Sequence, residues 1–307
     1  MTVFRQQFTE LLEPILEDIS NDKSYRRKER VAMRFYDKVK TSRKAKETRF
    51  EWAGLGDFQE KPEGQTITED DPLAGSTQVL THIRRALSYS VTQEMFDHDQ
   101  FDEIKSLEQD LQLSGDDDLE VRGHLVLNSG FSTTDSGSFL ATGYDGLALF
   151  STGHTRIDGG ATQRNRPSTD ANLSWTSLAD GRQQFQLWRD NRGKRIVSVP
   201  QLLIIHPNDE LTAMELMKSQ LKPGTPNNEI NAIMGDFEIL VTPFLTDTNA
   251  WFLKAADADG VWFWDVQPRT QSLRDDDRRE ISGRKRVQGW SHGHGRWVGY
   301  FGTSGTT

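Results

Sequence analysis

Residues 50–71 read FEWAGLGDFQEKPEGQTITEDD. Alternation at Phe50 and Trp52, followed by Phe58, predicts a strand, and Lys61-Pro62-Glu63-Gly64 is a turn signal. Gln65–Thr68 is then the expected return strand, within a hairpin spanning about 46–75. This hairpin has too few apolar residues to hold itself, because an isolated two-stranded ribbon is at best marginal in water. It must lie on another surface, and its aromatics argue against a freely solvated loop. Any fold for this chain has to supply that surface.

The rest of the composition is consistent with a chain rich in exposed parts or in contacts. The 307 residues suffice for two domains or one large elaborated one. Hydrophobic residues are 35% and charged residues 27% of the chain, with a mean hydropathy of -0.67. No stretch approaches eighteen apolar residues, so no membrane-spanning helix and no membrane partner are expected. The first twenty residues mix acids into their apolar pattern and do not read as a signal peptide. With no cysteine, disulfides, thiolate nucleophiles and the usual structural zinc sites are excluded, which fits an intracellular protein. Charge is segregated: residues 23–49 carry 12 Lys/Arg against 3 Asp/Glu, and residues 51–120 carry 4 against 18. Such a pair of segments suits attraction between copies of the chain, or a basic face on nucleic acid, as well as two solvated faces of unlike sign.

Along the chain, residues 3–19 predict an arm with a short helical piece interrupted at Pro14, and the basic stretch after it is helical around Val31–Phe35 or extended. Residues 79–95 lean to strand. Residues 99–128 predict one long helix through Ile104, Leu107, Leu111 and Leu119, weakened in its middle by Gly115 and Asp116–Asp118. A glycine- and serine-rich loop region follows, with a short strand at Ala148–Ser151. Then come a helix over Trp175–Arg189, a buried strand at Gln201–Ile205, and a helix capped by Asn208 or Asp209. Strands are expected at Phe237–Val241, Trp251–Lys254 and the VWFWDV segment, and further strands between about 280 and 301.

Candidate chemistry is weak throughout. His292 and His294 stand at i, i+2 and would share one face of a strand, yet no third ligand is evident nearby. The Asp116–Asp118 and Asp275–Asp277 runs lack the spacing of a calcium loop. Ser151-Thr-Gly-His154 has no nucleophile elbow around it. IDGGAT (Ile157–Thr162) has neither P-loop nor dinucleotide fingerprint. No catalytic, cofactor or metal residue is therefore assigned, and the expectation is a protein that makes contacts and is not an enzyme.

The second half resembles the major capsid proteins of tailed bacteriophages, in the branch of the Mu-type head protein. The resemblance is carried by an ordered series: LALFSTGHT (147–155), WRDNRGKRI (188–196), PQLLIIHPNDELTAMELM (200–217), GTPNNEIN (224–231) and LVTPFLTDTNAWFLKA (240–255). It covers about residues 147–265, and the remainder by layout. It implies the HK97-like fold, of α+β class. In this order it gives an N-terminal arm (1–45), an extended hairpin or E-loop (46–75), and a peripheral domain (76–150) with a spine helix at about 99–128. An axial α/β domain (151–267) and C-terminal strands returning to the peripheral domain (268–307) complete it.

The implied function is a capsid protein assembling into pentamers and hexamers of an icosahedral shell around double-stranded DNA. Portal, scaffolding and decoration proteins are further implied partners; the implied location is the virion capsid, with assembly in the host cytoplasm. Phe50, Trp52, Leu55, Phe58 and Ile67 would contact a neighbouring subunit. Arg26, Arg27, Lys28, Arg30 and Arg34 would face a neighbour or DNA. Pro223, Gly224, Asn227 and Asn228 would form a loop at the capsomer axis. Lys61 lies in the hairpin, but no asparagine partner is identified, and no covalent crosslink is expected. The competing readings are an encapsulin-type compartment of the same fold and, from another class, a metal-dependent enzyme using His292 and His294.

Overall fold

The computed structural model describes residues 14, 16–19, 30–92, 95, 98, 101–223, 229–274 and 281–306. Residues 14 and 16–19 are helical. From residue 30 on, the basic stretch holds a 3₁₀ turn at Val31–Arg34 and then an extended segment, β1 (Lys38–Thr41); its earlier residues lie outside the described ones.

The ribbon follows as β2 (Lys46–Ala53) and β3 (Leu73–Thr81), paired antiparallel from Lys46↔Thr81 to Ala53↔Leu73. The return strand is thus Leu73–Thr81 and not Gln65–Thr68, which lies in an unpaired tip with its turn at Glu63 and Gly64. Three successive acids, Glu69 to Asp71, and Pro72, which has no N–H to give a ladder, separate residues 65–68 from the paired strand. The next strand is β4 (Ile83–Thr92), and then α1 runs unbroken from Phe101 to Gly123, about 34 Å at 1.5 Å per residue. A short α2 (Leu125–Asn128) continues it.

The segment 129–174 holds only β5 (Phe139–Leu140) and isolated bridges; Ala148 bridges Thr142, and no strand forms at 148–151. Helix α3 (Trp175–Leu187) starts at Ser174, whose side chain accepts from Ser177 N in a reciprocal capping box. It is followed by β6 (Pro200–Ile205), α4 (Glu210–Lys218), β7 (Glu238–Val241), β8 (Trp251–Ala255), β9 (Val261–Arg274), β10 (Ile281–His294) and β11 (Tyr300–Thr303). Asp209 sits at the N-cap of α4 without a side-chain cap bond; instead His206 Nδ1 accepts from Asn208 N one turn earlier.

Three sheets result among the described residues. One has the order β1-β9-β10-β4 with β5 beside β10, the second is β11-β8-β6-β7, and the third is the β2–β3 ribbon. The C-terminal region is divided between the first two: β10 returns to the sheet of β4, whereas β11 pairs with β8. One large apolar core connects these two sheets and includes Phe35, Trp188, Trp251, Phe263, Trp290 and Phe301.

Helix α1 docks on the first sheet with an unusual face. Ile104, Leu111 and Leu119 are buried as their spacing predicts, but so are Glu108, Gln112, Asp116 and Glu120. These polar groups meet partners from the sheet and the chain start. Arg286 donates to Gln112 O (2.7 Å) and Gln112 Oε1 (2.9 Å) and pairs with Asp116. Gln288 donates to Gly115 O, Tyr89 OH to Glu108, and Ala32 N to Glu120. Buried polar groups persist because they are bonded.

Candidate assembly surface

Side chains alternate across the two faces of the ribbon, and their distribution is inverted relative to an ordinary surface hairpin. The inward face carries polar residues beside the buried Leu80 and Ala53. Arg49 lies over the rings of Trp262 and Trp264, 5.1 and 5.0 Å from their centroids, a cation–π arrangement. Glu47 is buried and accepts from Ser42 Oγ at 2.7 Å. Gln78 donates to Thr142 O.

The outward face carries the apolar residues. Phe50 is 59% and Trp52 54% exposed, with their rings edge-on at 5.4 Å. Val79, on the opposing strand across from Thr48, is also exposed on this face. In the tip, Leu55, Phe58 and Ile67 are exposed as well, and Phe58 has no intramolecular cover at all at 105%. So many exposed large apolar residues on one element of a polar chain mark a contact surface.

The neck of the ribbon is gripped by a turn from far along the sequence. Asp190 Oδ1 accepts from Arg192 N and Lys194 N at 2.9 and 2.8 Å, and Gly193 completes the turn at φ 83°, the left-handed region that glycine enters without a Cβ penalty. The three side chains of this turn then reach the ribbon. Asn191 Nδ2 donates to Glu51 Oε1 at 2.6 Å, and Arg192 Nε to Gly54 O at 2.8 Å. Arg192 also donates to Asp71 O. Lys194 Nζ donates to Leu55 O and Gly56 O at 2.9 and 2.8 Å. Arg296 adds a bond to Trp52 O at 2.8 Å. Burial beneath the ribbon pushes the Glu51 carboxyl above its ordinary value, against the opposing pull of Asn191 and Arg296.

The structure therefore brings together Phe50, Trp52, Leu55, Phe58 and Ile67 on one exposed element. The basic and axial-loop expectations fare differently. Arg30 pairs with Asp116 at 3.8 Å and Arg34 with Glu238, so these two tie the chain start to α1 and β7. Arg26, Arg27 and Lys28 lie outside the described residues, as do Gly224, Asn227 and Asn228; Pro223 is half-buried in a turn.

The histidine pair is built into the core. His292 stacks on Phe139 at 5.3 Å and on Phe263 at 6.0 Å, and its Nδ1 lies 3.4 Å from Ser138 Oγ. Burial pushes its pKa down to about 3, with Arg122 adding to the effect. Burial likewise pushes His294 down to about 4. Among the described residues no group of three or more His, Asp or Glu is placed to hold a metal ion, and no helix is long and apolar enough to cross a membrane.

Sequence reasoning found the aromatics by alternation but missed the grip. Asn191, Arg192 and Lys194 act across 138–140 residues of sequence, and the only local signal was the turn-forming DNRG itself.

The subunit thus has two core sheets, a long helix and a ribbon offering apolar residues outward. The phage capsid protein family matches residues 75–299, and the chain belongs to that family: it is a capsid shell protein of the virion. No curated protein matches it. Solved structures show the same HK97-like fold at low identity. The capsid of an empty GTA particle aligns with a TM-score of 0.55 and 10% identity, over 90% of this chain and 89% of that one. The capsid of bacteriophage JBD30, decorated with minor capsid protein trimers, gives 0.51 and 13%, over 69% and 90%. The capsid of cyanophage P-SCSP1u gives 0.50 and 10%, over 86% and 85%.

Proposed function

We propose that this chain is the major head protein of a tailed phage of the Mu-type branch, assembling in the host cytoplasm as pentamers and hexamers of an icosahedral shell around double-stranded DNA. In this reading the β2–β3 ribbon is the E-loop. The β1-β9-β10-β4 sheet with α1 forms the peripheral domain, and the β11-β8-β6-β7 sheet with α3 and α4 forms the axial domain. The arm up to residue 45 contacts a neighbour or the packaged DNA through Arg26, Arg27 and Lys28. Portal, scaffolding and decoration proteins complete the particle. The role is structural, with no catalytic step.

The observation that carries the reading is the outward apolar face of the ribbon. Burying Phe50, Trp52 and Phe58 against an adjacent subunit would contribute about 1–3 kcal/mol each, and symmetry repeats that contact around every capsomer. The test is a Phe50→Ser, Trp52→Ser variant. It keeps the far-ultraviolet circular dichroism of the wild type, since neither ring belongs to the core, and it fails to give closed particles by electron microscopy. Normal particle yield from this variant would remove the ribbon from the interface.

A further inference from the structure

The segment 143–165 holds a histidine that the ribbon's contacts do not use. His154 is 1% exposed, and Asn165 beside it is fully buried. They lie where the chain folds back on itself. His154 N donates to Gln163 O at 2.8 Å, Gln163 N returns a bond to His154 O at 2.9 Å, and Asn165 N donates to Ser151 O at 3.1 Å. The segment is also a junction. Tyr144 N donates to Gly295 O just past β10, and Asn165 O accepts from Gly302 N on β11, both at 3.0 Å. Gln163 bonds in turn to the backbone of Arg189, which adjoins the turn that grips the ribbon.

Both ring nitrogens of His154 face oxygen. Nδ1 lies 2.6 Å from Asp145 Oδ2, and Nε2 lies 3.0 Å from Asn165 Oδ1. The Asn165 amide has no freedom to present its nitrogen instead. Its Nδ2 donates to Leu149 O at 2.7 Å, and its Oδ1 accepts from Ser151 N at 2.9 Å. Turning it over would set donor against donor and oxygen against oxygen. A neutral imidazole has one N–H, so at one of the two contacts it would leave a buried lone pair facing an oxygen. The imidazolium donates at both. The ring also lies flat on Trp297, with centroids 4.5 Å apart and planes 13° from parallel, and an indole face is the best aromatic seat for a cation.

We infer that His154 is a doubly protonated imidazolium in the folded subunit, and that its charge, paired with Asp145, clasps the 143–165 segment between the two core sheets. Loss of the second proton forces the ring to release either Asp145 or Asn165, and the clasp opens. The surrounding charged groups agree with this. Burial pushes the Asp145 carboxyl up, but the bond and charge of His154, with the Leu147 N–H, hold it below its ordinary value. His294 on β10 is kept neutral by burial, and the His154 charge acts in the same direction. Beyond Asp145 stands Glu51 of the ribbon, paired with Arg296 at 3.7 Å. Arg164, next to Asn165, pairs with Asp180 at 3.2 Å.

The experiment locates the protons. Solid-state nitrogen-15 NMR is recorded on the full chain, labelled at histidine, at about pH 7.5, where an exposed histidine of pKa about 6.5 is mostly neutral. Comparison with His154→Gln assigns the signals. Both nitrogens of His154 are expected to be protonated, and one bare nitrogen overturns the inference. Asp145→Asn keeps the shape of the partner and removes its charge. Its His154 ring is expected to show a bare nitrogen at the same pH. Amide exchange in peptides covering Ser151, His154 and Asn165, read by mass spectrometry, is expected to accelerate about tenfold over the wild type. Two protons retained in Asp145→Asn overturn the pairing, and a lost proton with unchanged exchange overturns the clasp.

Discussion

Gly115 sits in the middle of α1, where a glycine ordinarily weakens a helix by about 1 kcal/mol relative to alanine. Here it opens a slot. A Cβ at this position would stand 2.6 Å from Arg286 Nε and 2.7 Å from Nη1. That guanidinium is 4% exposed and bonded to Gln112 and Asp116, so it has little room to yield. Gly115→Ala is therefore expected to destabilise the subunit by about 1–3 kcal/mol, read as a fall in Tm. The same exchange at exposed Ser114 would leave Tm unchanged or raise it slightly. His292 gives a second test at this scale. Its folded pKa of about 3 lies below the unfolded value of about 6.5. Above the unfolded value neither state takes a proton, and the full stability is present. As pH falls from about 6.5 toward about 3, the unfolded chain binds a proton that the folded one refuses, and stability falls by up to about 1.4 kcal/mol per pH unit. His294, down to about 4, acts in the same direction. His292→Phe, placed between Phe139 and Phe263, is expected to flatten the acid limb of a stability-against-pH curve measured by urea denaturation.

The ribbon is the element whose order depends most on remote residues. Residues 54–72 form no ladder of their own, and their position rests on Arg192, Lys194 and the bond from Gly56 N to Asp70 Oδ2 at 2.6 Å. Arg192→Ala removes bonds to Gly54 O and Asp71 O together. Amide exchange across 54–72 is expected to accelerate, and cleavage by a glutamate-specific protease at Glu60 and Glu63 to rise, with Tm nearly unchanged because no core side chain is lost. Unaltered exchange in that segment would show that the grip does not order the tip. Legibility in the sequence divides along the same line. The aromatics Phe50 and Trp52 announce a strand because period-two alternation is local, and β6 and β8 announce themselves as short apolar runs. The return strand lies further along than its turn signal suggests, because Pro62–Gly64 marks the tip and not the end of pairing. On α1, Glu108, Gln112, Asp116 and Glu120 recur every four residues and read as a solvated face. Arg286 and Tyr89, brought over by β10 and β4, and Ala32 and Arg30 at the chain start meet them from the inside. Polar matching over such sequence distances leaves no periodic trace in either partner.

The whole molecule is joined at one carboxylate. Asp37 follows the Val31–Arg34 turn; its Oδ2 accepts from Gly260 N and Val261 N, both at 2.9 Å, at the start of β9. Its Oδ1 accepts from Tyr300 OH at 2.6 Å and pairs with Lys254 Nζ at 3.0 Å, which are on β11 and β8. Lys254 is 9% exposed and also donates to Arg34 O and Tyr36 O. Asp37 thus connects the chain start to the edge region of both core sheets, and the apolar cluster around it spans the two without a break. Two consequences follow from this arrangement. The unassembled subunit is expected to unfold in one transition, with tryptophan fluorescence and circular dichroism coincident, although its residues would serve two domains in the shell. And Asp37→Ala, which strands a buried ammonium, is expected to cost about 3–5 kcal/mol, lowering that single transition as a whole. Lys254→Met in the same chain should return part of the loss, since it removes the stranded charge. A double-mutant cycle measures this coupling, and strict additivity of the two changes would show that the pair does not join the sheets energetically. Two separated transitions, only one of them moved by Asp37→Ala, would place the seam between independent folding units.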